Sequence, residues 1–187
     1  MSLVVDAAID ALGEIGYART SVTEIGARAG VSQGGMFRHF GTRLDVIVAA
    51  AETVCERQLS TFRLRLAVTD GTLRDLLELT RAASRDSVNA AWRELLAAAR
   101  CDDELRARLA PTVSGYYARI VELARAQPAL AQLPDDWLGA VVMTVLHALD
   151  GEALTRSLYL EPEPDAQRPD VLEVLLTALT AAAPPPG

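Results

Sequence analysis

Apolar residues recur three and four positions apart along almost the whole chain of 187 residues, which is the spacing of one face of an α-helix. No segment alternates apolar and polar residues for long, as a half-buried β-strand would. Glycines, prolines and capping residues divide the pattern into separate helices. They are predicted at about residues 3–15, 22–29, 33–39, 43–68, 72–84, 86–101, 103–127, 135–159 and 169–183. The sequence therefore predicts an all-α fold.

The first helices of the chain have clear start and stop signals. Ser21 lies three residues before Glu24, which is the spacing of a capping box: the Ser side chain caps the helix and the Glu side chain reaches back to the Ser21 amide. Gly30 ends that helix, Ser32 caps the next one, and Thr42 caps the long helix that follows. Two short helices joined by a tight turn are the layout of a helix-turn-helix, whose second helix enters the major groove of DNA.

Four runs of residues occur in register around this turn: Thr20-Ser-Val-Thr-Glu-Ile25, Ala29-Gly-Val-Ser32, Gly35-Met-Phe-Arg-His-Phe40 and Arg43 to Val46. With these runs the chain closely resembles the TetR family of transcriptional regulators from about Ala7 to Ala50, and the resemblance fades afterwards. It implies an N-terminal three-helix helix-turn-helix domain for DNA binding at residues 1–45. A long helix would join this domain to a C-terminal helical bundle for ligand binding and dimerisation at residues 46–187.

The resemblance also implies roles for single residues near the turn. Ser21 and Thr23 would place the first helix of the pair on a DNA phosphate, with a base contact as a further role open to Thr23. Arg43 would hold another phosphate from the start of the long helix. Gln33 would make the two-bond adenine contact that an amide side chain allows. The full set expected at the DNA is Thr20, Ser21, Thr23, Ser32, Gln33, Gly34, Gly35, Phe37, Arg38, His39 and Arg43.

Several residues depart from the family pattern. Phe37 stands where the family commonly has Tyr, so a hydroxyl that would bond a phosphate is missing, and Gly26 stands where Ala is usual. Gly34 and Gly35 lie inside the expected recognition helix, where each glycine costs about 1 kcal/mol relative to Ala. No basic arm precedes the first helix. These departures support a second hypothesis, a helical ligand-binding or scaffold protein whose DNA binding has been lost.

Large side chains are scarce in the C-terminal region, and an effector pocket needs apolar walls with a few polar groups. We expect a small apolar ligand to lie against such side chains, although the alternative for each of them is a place in the protein core. For His147 a hydrogen-bonded place in the core is favoured over a ligand contact. The expected pocket residues are Trp92, Tyr116, Tyr117, Met143 and His147.

The last two predicted helices each have an apolar face. One explanation is packing within a single chain; the resemblance implies another, a four-helix bundle formed by these helices from two subunits. A dimer would also supply the second recognition helix, which a palindromic operator with half-sites about 34 Å apart requires. The residues expected at the dimer interface are Leu138, Val141, Val142, Val145, Leu149, Val171, Leu172, Leu175, Leu176 and Leu179.

The charge balance of the chain is acidic: 18 basic residues, all of them Arg, against 25 acidic ones give a net charge of −7. A protein that binds nucleic acid usually has a basic face, so this average argues against DNA. The average hides a gradient, because residues 67–187 contain the whole excess of acids, whereas Tyr17–Arg43 holds four Arg against Glu24 alone. We therefore expect a basic tip on an acidic body, and DNA binding that salt weakens easily.

Other function classes lack the residues that they need. The absence of Lys excludes Schiff-base chemistry and a P-loop. Cys55 and Cys101 form no CxxC pair and the two His residues complete no cluster, so no metal and no cofactor are expected. No nucleophile has an adjacent base, so an enzyme is not expected. No stretch approaches the ~18 uninterrupted apolar residues of a membrane span, so no membrane partner is expected.

Together these inferences predict a cytoplasmic, homodimeric transcriptional repressor that binds double-stranded operator DNA and is released by a small apolar effector. Ligand binding between the middle helices would tilt the long helix that begins near Arg43. The tilt would change the separation of the two recognition helices, and the operator would be released.

Overall fold

The computed structural model describes residues 2–158 and 166–182, and every regular element in these ranges is helical. The prediction of an all-α fold is therefore confirmed. Short 3-10 turns occupy Tyr17–Arg19, Pro128–Leu130 and Arg156–Leu158. The α-helices are α1 (Ser2–Ile15), α2 (Val22–Ala29), α3 (Gln33–Phe37), α4 (Arg43–Leu66), α5 (Leu73–Ser84), α6 (Ser87–Ala98), α7 (Asp103–Arg125), α8 (Asp135–Thr155) and α9 (Arg168–Ala182).

Each predicted helix is present, and the main differences lie at the C-terminal ends. α3 stops at Phe37 instead of residue 39, because the amides of His39 and Phe40 both donate to the Met36 carbonyl and close the helix. α4, α6 and α7 likewise end two or three residues before the predicted position. α8 ends at Thr155 and passes into a 3-10 turn at Arg156–Leu158, before the predicted end at 159. Residues 159 and 183, the predicted last residues of the final two helices, lie outside the described residues.

Ser21 and Ser32 cap α2 and α3 as predicted, since their hydroxyls accept the amides of Glu24 and Gly35, each at 3.1 Å. The second half of the predicted capping box at Ser21 is wrong, because the Ser21 amide donates to the Arg19 carbonyl at 2.8 Å. The 3-10 turn before α2 thus satisfies the amide that the Glu24 side chain was expected to reach.

Thr42 caps α4 in a complete capping box. Its hydroxyl accepts the Asp45 amide at 3.1 Å, and the Asp45 carboxylate accepts the Thr42 amide at 2.9 Å. Thr72 and Asp75 form the same arrangement at the start of α5. In both helices, therefore, a pair of residues three positions apart determines where the helix begins.

The described chain divides into two compact units, and the first contains the residues up to Leu59 together with Asp86–Tyr116. Its core combines residues of α1–α4 with residues of α6 and the first part of α7. Ile25 of α2 and Met36 of α3 are fully buried there, so the two helices of the turn are anchored in the core. The predicted functional boundary at residue 45 does not coincide with this unit and stays a prediction.

The second unit contains Ser60–Arg85 and the described residues from Tyr117 onward. Leu76 of α5 packs there with Leu138 and Val142 of α8 in a smaller apolar cluster. α9 also contributes to this cluster. One side of α8 is therefore occupied within its own chain.

A buried carboxylate lies in the second unit. Glu152 of α8 is 2% exposed, and its Oε1 accepts from Arg81 Nε at 2.7 Å and from Arg85 Nε at 2.9 Å. Arg168 Nε of α9 lies 3.2 Å from the other carboxylate oxygen. Removing one partner of a buried ion pair typically costs about 3–5 kcal/mol, so this cluster is expected to hold α5, α8 and α9 together.

α8 is long and apolar enough to cross a membrane by the criteria of length and composition, with a mean hydropathy of 1.3 over its most apolar window. No such segment was predicted from the sequence, because acidic and polar residues interrupt the apolar residues of α8. Of that window, 33% is buried within the chain. One helix of this kind is weak evidence for a membrane, since an apolar face covered by a second protein subunit has the same composition.

Candidate nucleic-acid interface

The turn between α2 and α3 is tight because of two glycines. Gly30 ends α2 in the left-handed conformation, with φ 67° and ψ 27°, which glycine adopts without strain. The Val31 amide then donates back to the Gly26 carbonyl at 3.0 Å. A Cβ atom on Gly26 would lie 2.9 Å from the Val31 carbonyl oxygen, so the missing side chain allows the turn to fold closely against α2.

Burial on one side of α3 leaves the other side exposed. Met36 is fully buried and Gly35 is half-buried, whereas Phe37 remains 44% exposed. Most of the residues expected at the DNA thus lie on an accessible surface of α2, α3 and the segment after α3. The exposed members of the set are Ser21, Thr23, Ser32, Gln33, Gly34, Phe37, Arg38 and His39.

Thr20 does not belong to this surface. Its side chain is fully buried, and its hydroxyl donates to the Gly16 carbonyl at 2.8 Å. The structure therefore contradicts the expectation that the Thr20 hydroxyl faces DNA. Its place in the sequence beside Ser21 suggested a polar contact, but the hydroxyl closes the connection between α1 and α2.

Arg43 is engaged with the same connection. Its Nε donates to the Thr20 carbonyl at 2.6 Å and its Nη2 donates to the Tyr17 carbonyl at 2.5 Å, while the guanidinium carbon lies 4.3 Å from the centre of the Tyr17 ring. Arginine has five N–H donors, and two of them here hold the chain that leads into α2. The expected phosphate contact of Arg43 stays a prediction, and the side chain has a structural role besides.

Pairing within the chain reduces the basic character of the expected tip. Arg28 lies 2.7 Å from Glu24 and 2.7 Å from Glu14. Hydrogen bonds first to Glu24 and then to Glu14 raise the pKa of Arg28 above its ordinary value. Because Glu14 lies outside the stretch in which charges were counted, the sequence count overstated the positive charge available to DNA.

Two residues expected at the DNA are hydrogen-bonded to each other across the turn. Gln33 Nε2, at the start of α3, donates to Thr23 Oγ1 of α2 at 3.0 Å. Both side chains are exposed. The bond therefore fixes the position of an amide on the surface that the recognition helix would present to base edges.

Polar contacts also attach this region to α6 and to Asp102, the residue before α7, and none of them was predicted from the sequence. The Tyr17 amide donates to Glu94 Oε1 at 2.7 Å, and the Tyr17 hydroxyl donates to Asp102 Oδ2 at 3.0 Å. The Leu105 amide and then the Tyr17 hydroxyl lower the pKa of Asp102, and burial raises the pKa of the Tyr17 phenol. These partners are 77 and 85 residues apart, so no local signal indicates them.

A second contact of this kind reaches the start of α4. Arg108 Nη2 of α7 lies 2.6 Å from Asp45 Oδ1. The pKa of Asp45 is lowered by this guanidinium first and by the Thr42 hydroxyl next. The capping box of α4 is thereby tied to α7 within the same unit.

Comparison with known proteins matches both the turn and the whole chain. The profile of the family described as bacterial regulatory proteins, tetR family, matches residues 4–50. A helix-turn-helix-type transcriptional regulator of Mycobacterium tuberculosis is 38% identical over 178 residues, which cover 94% of this chain and 91% of the relative. The chain belongs to the TetR family of transcriptional regulators.

Further similarities agree with this family. The helix-turn-helix-type transcriptional regulator CymR of Pseudomonas putida is 29% identical over 152 residues, covering 80% of this chain and 68% of CymR. Salmonella enterica GusR has the same fold with a TM-score of 0.72 at 21% identity, over 97% of this chain and 95% of GusR. The multidrug binding protein EbrR, complexed with imidazole, has a TM-score of 0.69 at 24% identity, over 100% of this chain and 96% of EbrR.

The expected pocket residues of this TetR-family regulator divide between the two units. Trp92 and Tyr116 meet in the first unit, with ring centres 5.2 Å apart at an angle of 67°. Trp92 is 1% exposed. Tyr117 and Met143 belong to the second unit and are half-buried there. His147, for which a place in the core was favoured, is exposed.

Polar groups surround the Trp92–Tyr116 pair. The Tyr116 hydroxyl bonds to the Gln58 amide oxygen, and Gln58 Nε2 donates to Asn89 Oδ1 at 2.8 Å. Asn89 is 5% exposed. Gln58, which bonds to the Tyr116 hydroxyl, and Asn89, which bonds to Gln58, were not among the expected pocket residues. No group of three or more His, Cys, Asp or Glu residues in the described part of the chain is suited to hold a metal ion.

The structure corrects the expected dimer interface. Leu138, Val142, Leu149 and Leu176 are buried within the protomer, with exposures of 9% or less, so these four face the core of their own chain. Val171 and Leu175 are 55% and 60% exposed, as the interface would require. The remaining members are half-buried: Val141, Val145, Leu172 and Leu179.

The exposed face of α8 lies elsewhere on the helix. Its exposed residues between Trp137 and Leu154 follow one another at alternating intervals of three and four positions: Trp137, Ala140, Thr144, His147, Gly151 and Leu154. On α9, Val174 is 68% exposed and joins Val171 and Leu175. Because α8 and α9 are apolar around most of their circumference, periodicity alone did not distinguish the inner face from the outer one.

Proposed function

We propose that this chain is a homodimeric transcriptional repressor that binds a palindromic operator and releases it when a small apolar ligand binds. The observation that carries the proposal is the exposed surface of α2 and α3, where a hydroxyl of α2, the amide of Gln33 and the guanidinium of Arg38 are accessible on helices anchored by buried Ile25 and Met36. These are the groups that contact phosphates and base edges in the major groove.

The exposed stripe of α8 supports the dimer. Its alternation of three and four positions is the spacing of a helix that packs along a partner helix, and its members Ala140, Thr144 and Gly151 are small enough for close approach. Val174 and Leu175 of α9 add exposed apolar surface. A two-fold axis along these helices would provide the pair of recognition helices that a palindrome needs.

Two structural neighbours support the release by a small molecule. One is the multidrug binding protein EbrR complexed with imidazole, and the other is a transcriptional regulator from Saccharomonospora viridis in complex with choline. In this chain Trp92 and Tyr116, with Gln58 and Asn89 hydrogen-bonded beside Tyr116, supply aromatic and amide groups of the kinds that line ligand pockets. The ligand must bind the DNA-free conformation more tightly than the DNA-bound one, because otherwise it shifts no equilibrium.

DNA binding is tested by selecting duplexes from a random pool with the full-length protein and measuring affinity for the selected duplex by fluorescence anisotropy at several salt concentrations. Arg38→Ala is expected to reduce the log–log salt slope of a dimer by about 1.8, since each lost phosphate contact reduces it by about 0.9. Arg106→Ala, at an exposed position of α7, is the matched control and leaves the slope unchanged. No sequence preference at micromolar protein would refute the proposal.

One observation favours the second candidate function, a helical ligand-binding or scaffold protein without DNA binding. Arg28 and Arg43 are both engaged within the chain, which leaves fewer cations for phosphates. Arg43→Ala would disturb the segment from Tyr17 to Thr20, so it does not discriminate between the two functions. Arg38→Ala does discriminate between them, because a variant that binds DNA no differently from the wild type would favour the scaffold protein.

The cellular setting follows from the proposed role. A regulator that acts on chromosomal operators in bacteria works in the cytoplasm, and that is the location proposed here. The relatives are transcriptional regulators, and we propose that the chain catalyses no reaction. Turnover that depends on a specific pair of side chains would overturn this part of the proposal.

A further inference from the structure

The hydrogen bond between Gln33 and Thr23 joins a base-reading position to a phosphate-binding position. The two side chains are ten residues apart in sequence and meet at 3.0 Å across the turn. Each is exposed, but each stands on a helix whose position is fixed, since Ile25 of α2 and Met36 of α3 are fully buried. The packing of the turn therefore brings the two positions close enough for their side chains to bond.

The donors and acceptors of the amide determine what Gln33 can recognise. A glutamine amide has one carbonyl oxygen and two N–H groups, and one N–H is directed to Thr23. The oxygen and the second N–H then match the edge of adenine, which offers an N6 donor and an N7 acceptor in the major groove. Guanine offers two acceptors there, so the amide oxygen would face O6 without a hydrogen bond.

The Thr23 hydroxyl determines which end of the amide faces outward. A hydroxyl has one proton and accepts through its lone pairs. When that proton is donated to a DNA phosphate, Thr23 is left as an acceptor towards Gln33. The amide then keeps its nitrogen towards Thr23, because the flipped amide would place two acceptors against each other.

We propose that Thr23 is a positioning residue that couples a phosphate contact to adenine recognition by Gln33. The inference rests on the proposed DNA binding and adds a specificity role that a phosphate contact alone does not have. Phosphate contacts position a protein on every sequence alike, whereas base contacts distinguish sequences. A purely phosphate-binding Thr23 would thus change affinity for all duplexes equally and leave the base preference unchanged.

The test uses the full-length protein and the duplex that it selects from a random pool. Gln33→Ala identifies the base pair at which preference is lost. At that position the dissociation constant of the wild type is expected to be about 5- to 150-fold higher for a duplex with guanine than for one with adenine. Thr23→Val, which keeps the shape but removes the hydroxyl, is expected to lower this ratio about fivefold or more. Thr23→Ser, the matched control, keeps the ratio within about twofold.

A second measurement replaces that adenine by 7-deazaadenine, which lacks the N7 acceptor. The wild type and Thr23→Ser are expected to lose affinity on this duplex, and Thr23→Val is expected to lose much less. Thermal unfolding of the three proteins shows whether the exposed substitutions leave the fold intact. An unchanged ratio in Thr23→Val would overturn the coupling while DNA binding stands, and failure of the wild type to select any sequence would overturn both.

Discussion

Alanine substitutions at three glycines of the helix-turn-helix provide a graded test of its packing. Gly26, Gly34 and Gly35 all lie within α2 or α3, so Ala is favoured at each by about 1 kcal/mol of helix propensity. The space around the three differs. Apart from its chain neighbours and the backbone of its own helix, no atom lies within 4 Å of a Cβ built on Gly34. On the same basis the nearest atoms are Ser32 Oγ at 3.3 Å for Gly35 and the Val31 carbonyl oxygen at 2.9 Å for Gly26.

The three environments lead to different expected changes in the free energy of unfolding. Gly34→Ala is expected to raise the free energy of unfolding by about 1 kcal/mol, because nothing offsets the propensity. In Gly35→Ala the Ser32 hydroxyl has to shift, which weakens a cap worth about 1 kcal/mol. This loss offsets the helix propensity of Ala, so we expect the free energy of unfolding to stay nearly unchanged. In Gly26→Ala a backbone oxygen has to move, and overpacking of about 1–3 kcal/mol gives a net loss of roughly 0–2 kcal/mol.

Thermal unfolding of the full-length variants, followed by circular dichroism, measures these differences. A change of about 1 kcal/mol corresponds to about 2–4 °C in Tm for a chain of this size. The expected order of Tm is Gly34→Ala highest, the wild type and Gly35→Ala together, and Gly26→Ala lowest. If Gly26→Ala stabilised as much as Gly34→Ala, the tight turn would not depend on the missing side chain, and the reasoning would be refuted.

Three further predictions concern the surface and the pH dependence. Ala140→Glu is expected to weaken dimerisation at least about 100-fold in sedimentation experiments, because like charges would meet across the two-fold axis. The control Ala118→Glu on α7 is expected to dimerise as the wild type does. If the two variants dimerised equally well, this face of α8 would be excluded as the dimer interface. Phe37→Tyr is expected to raise operator affinity about 2- to 10-fold per subunit through a new phosphate bond, and unchanged anisotropy would contradict it. The folded-state pKa of Asp102 is depressed, so the stabilisation that its carboxylate gives to the fold is present above about pH 4 and is lost as the pH falls through the folded-state pKa. The free energy of unfolding of Asp102→Asn in urea should therefore depend less on pH than that of the wild type. An identical pH profile would argue against the contact between Asp102 and Tyr17.

The sequence was sufficient for the positions of the helices because their signals are local. Ser21, Ser32 and Thr42 cap the helices that follow them through residues only three positions away. The family motif around the turn is equally local, and the profile match over residues 4–50 agrees with it. The error at the Ser21 amide has the same local origin, because two nearby acceptors competed and the 3-10 turn provided the better one.

The faces of α8 and α9 were harder to predict, because an apolar residue has the same appearance in a core and in an interface. Leu138 and Leu149 were expected at the dimer interface but are buried in their own protomer. Val174 was omitted although it is 68% exposed. The missing information is which side of each helix its own chain covers, and that depends in part on Leu76 of α5, far away in sequence.

The same limitation affects the charge of the DNA-binding surface. Counting residues from Tyr17 to Arg43 treats each Arg as available, but Arg28 is paired with Glu14 and Glu24, and Arg43 is bonded to two backbone carbonyls. Arg28, whose charge is balanced by carboxylates, is expected to release few counterions from DNA, whereas Arg43 keeps its positive charge because carbonyl oxygens are neutral. If the chain binds an operator as proposed, this pairing inside the first unit is expected to limit the electrostatic part of the affinity. Under the proposed function, sequence preference is expected to depend on the groups that stay accessible, above all Gln33 with its bond to Thr23.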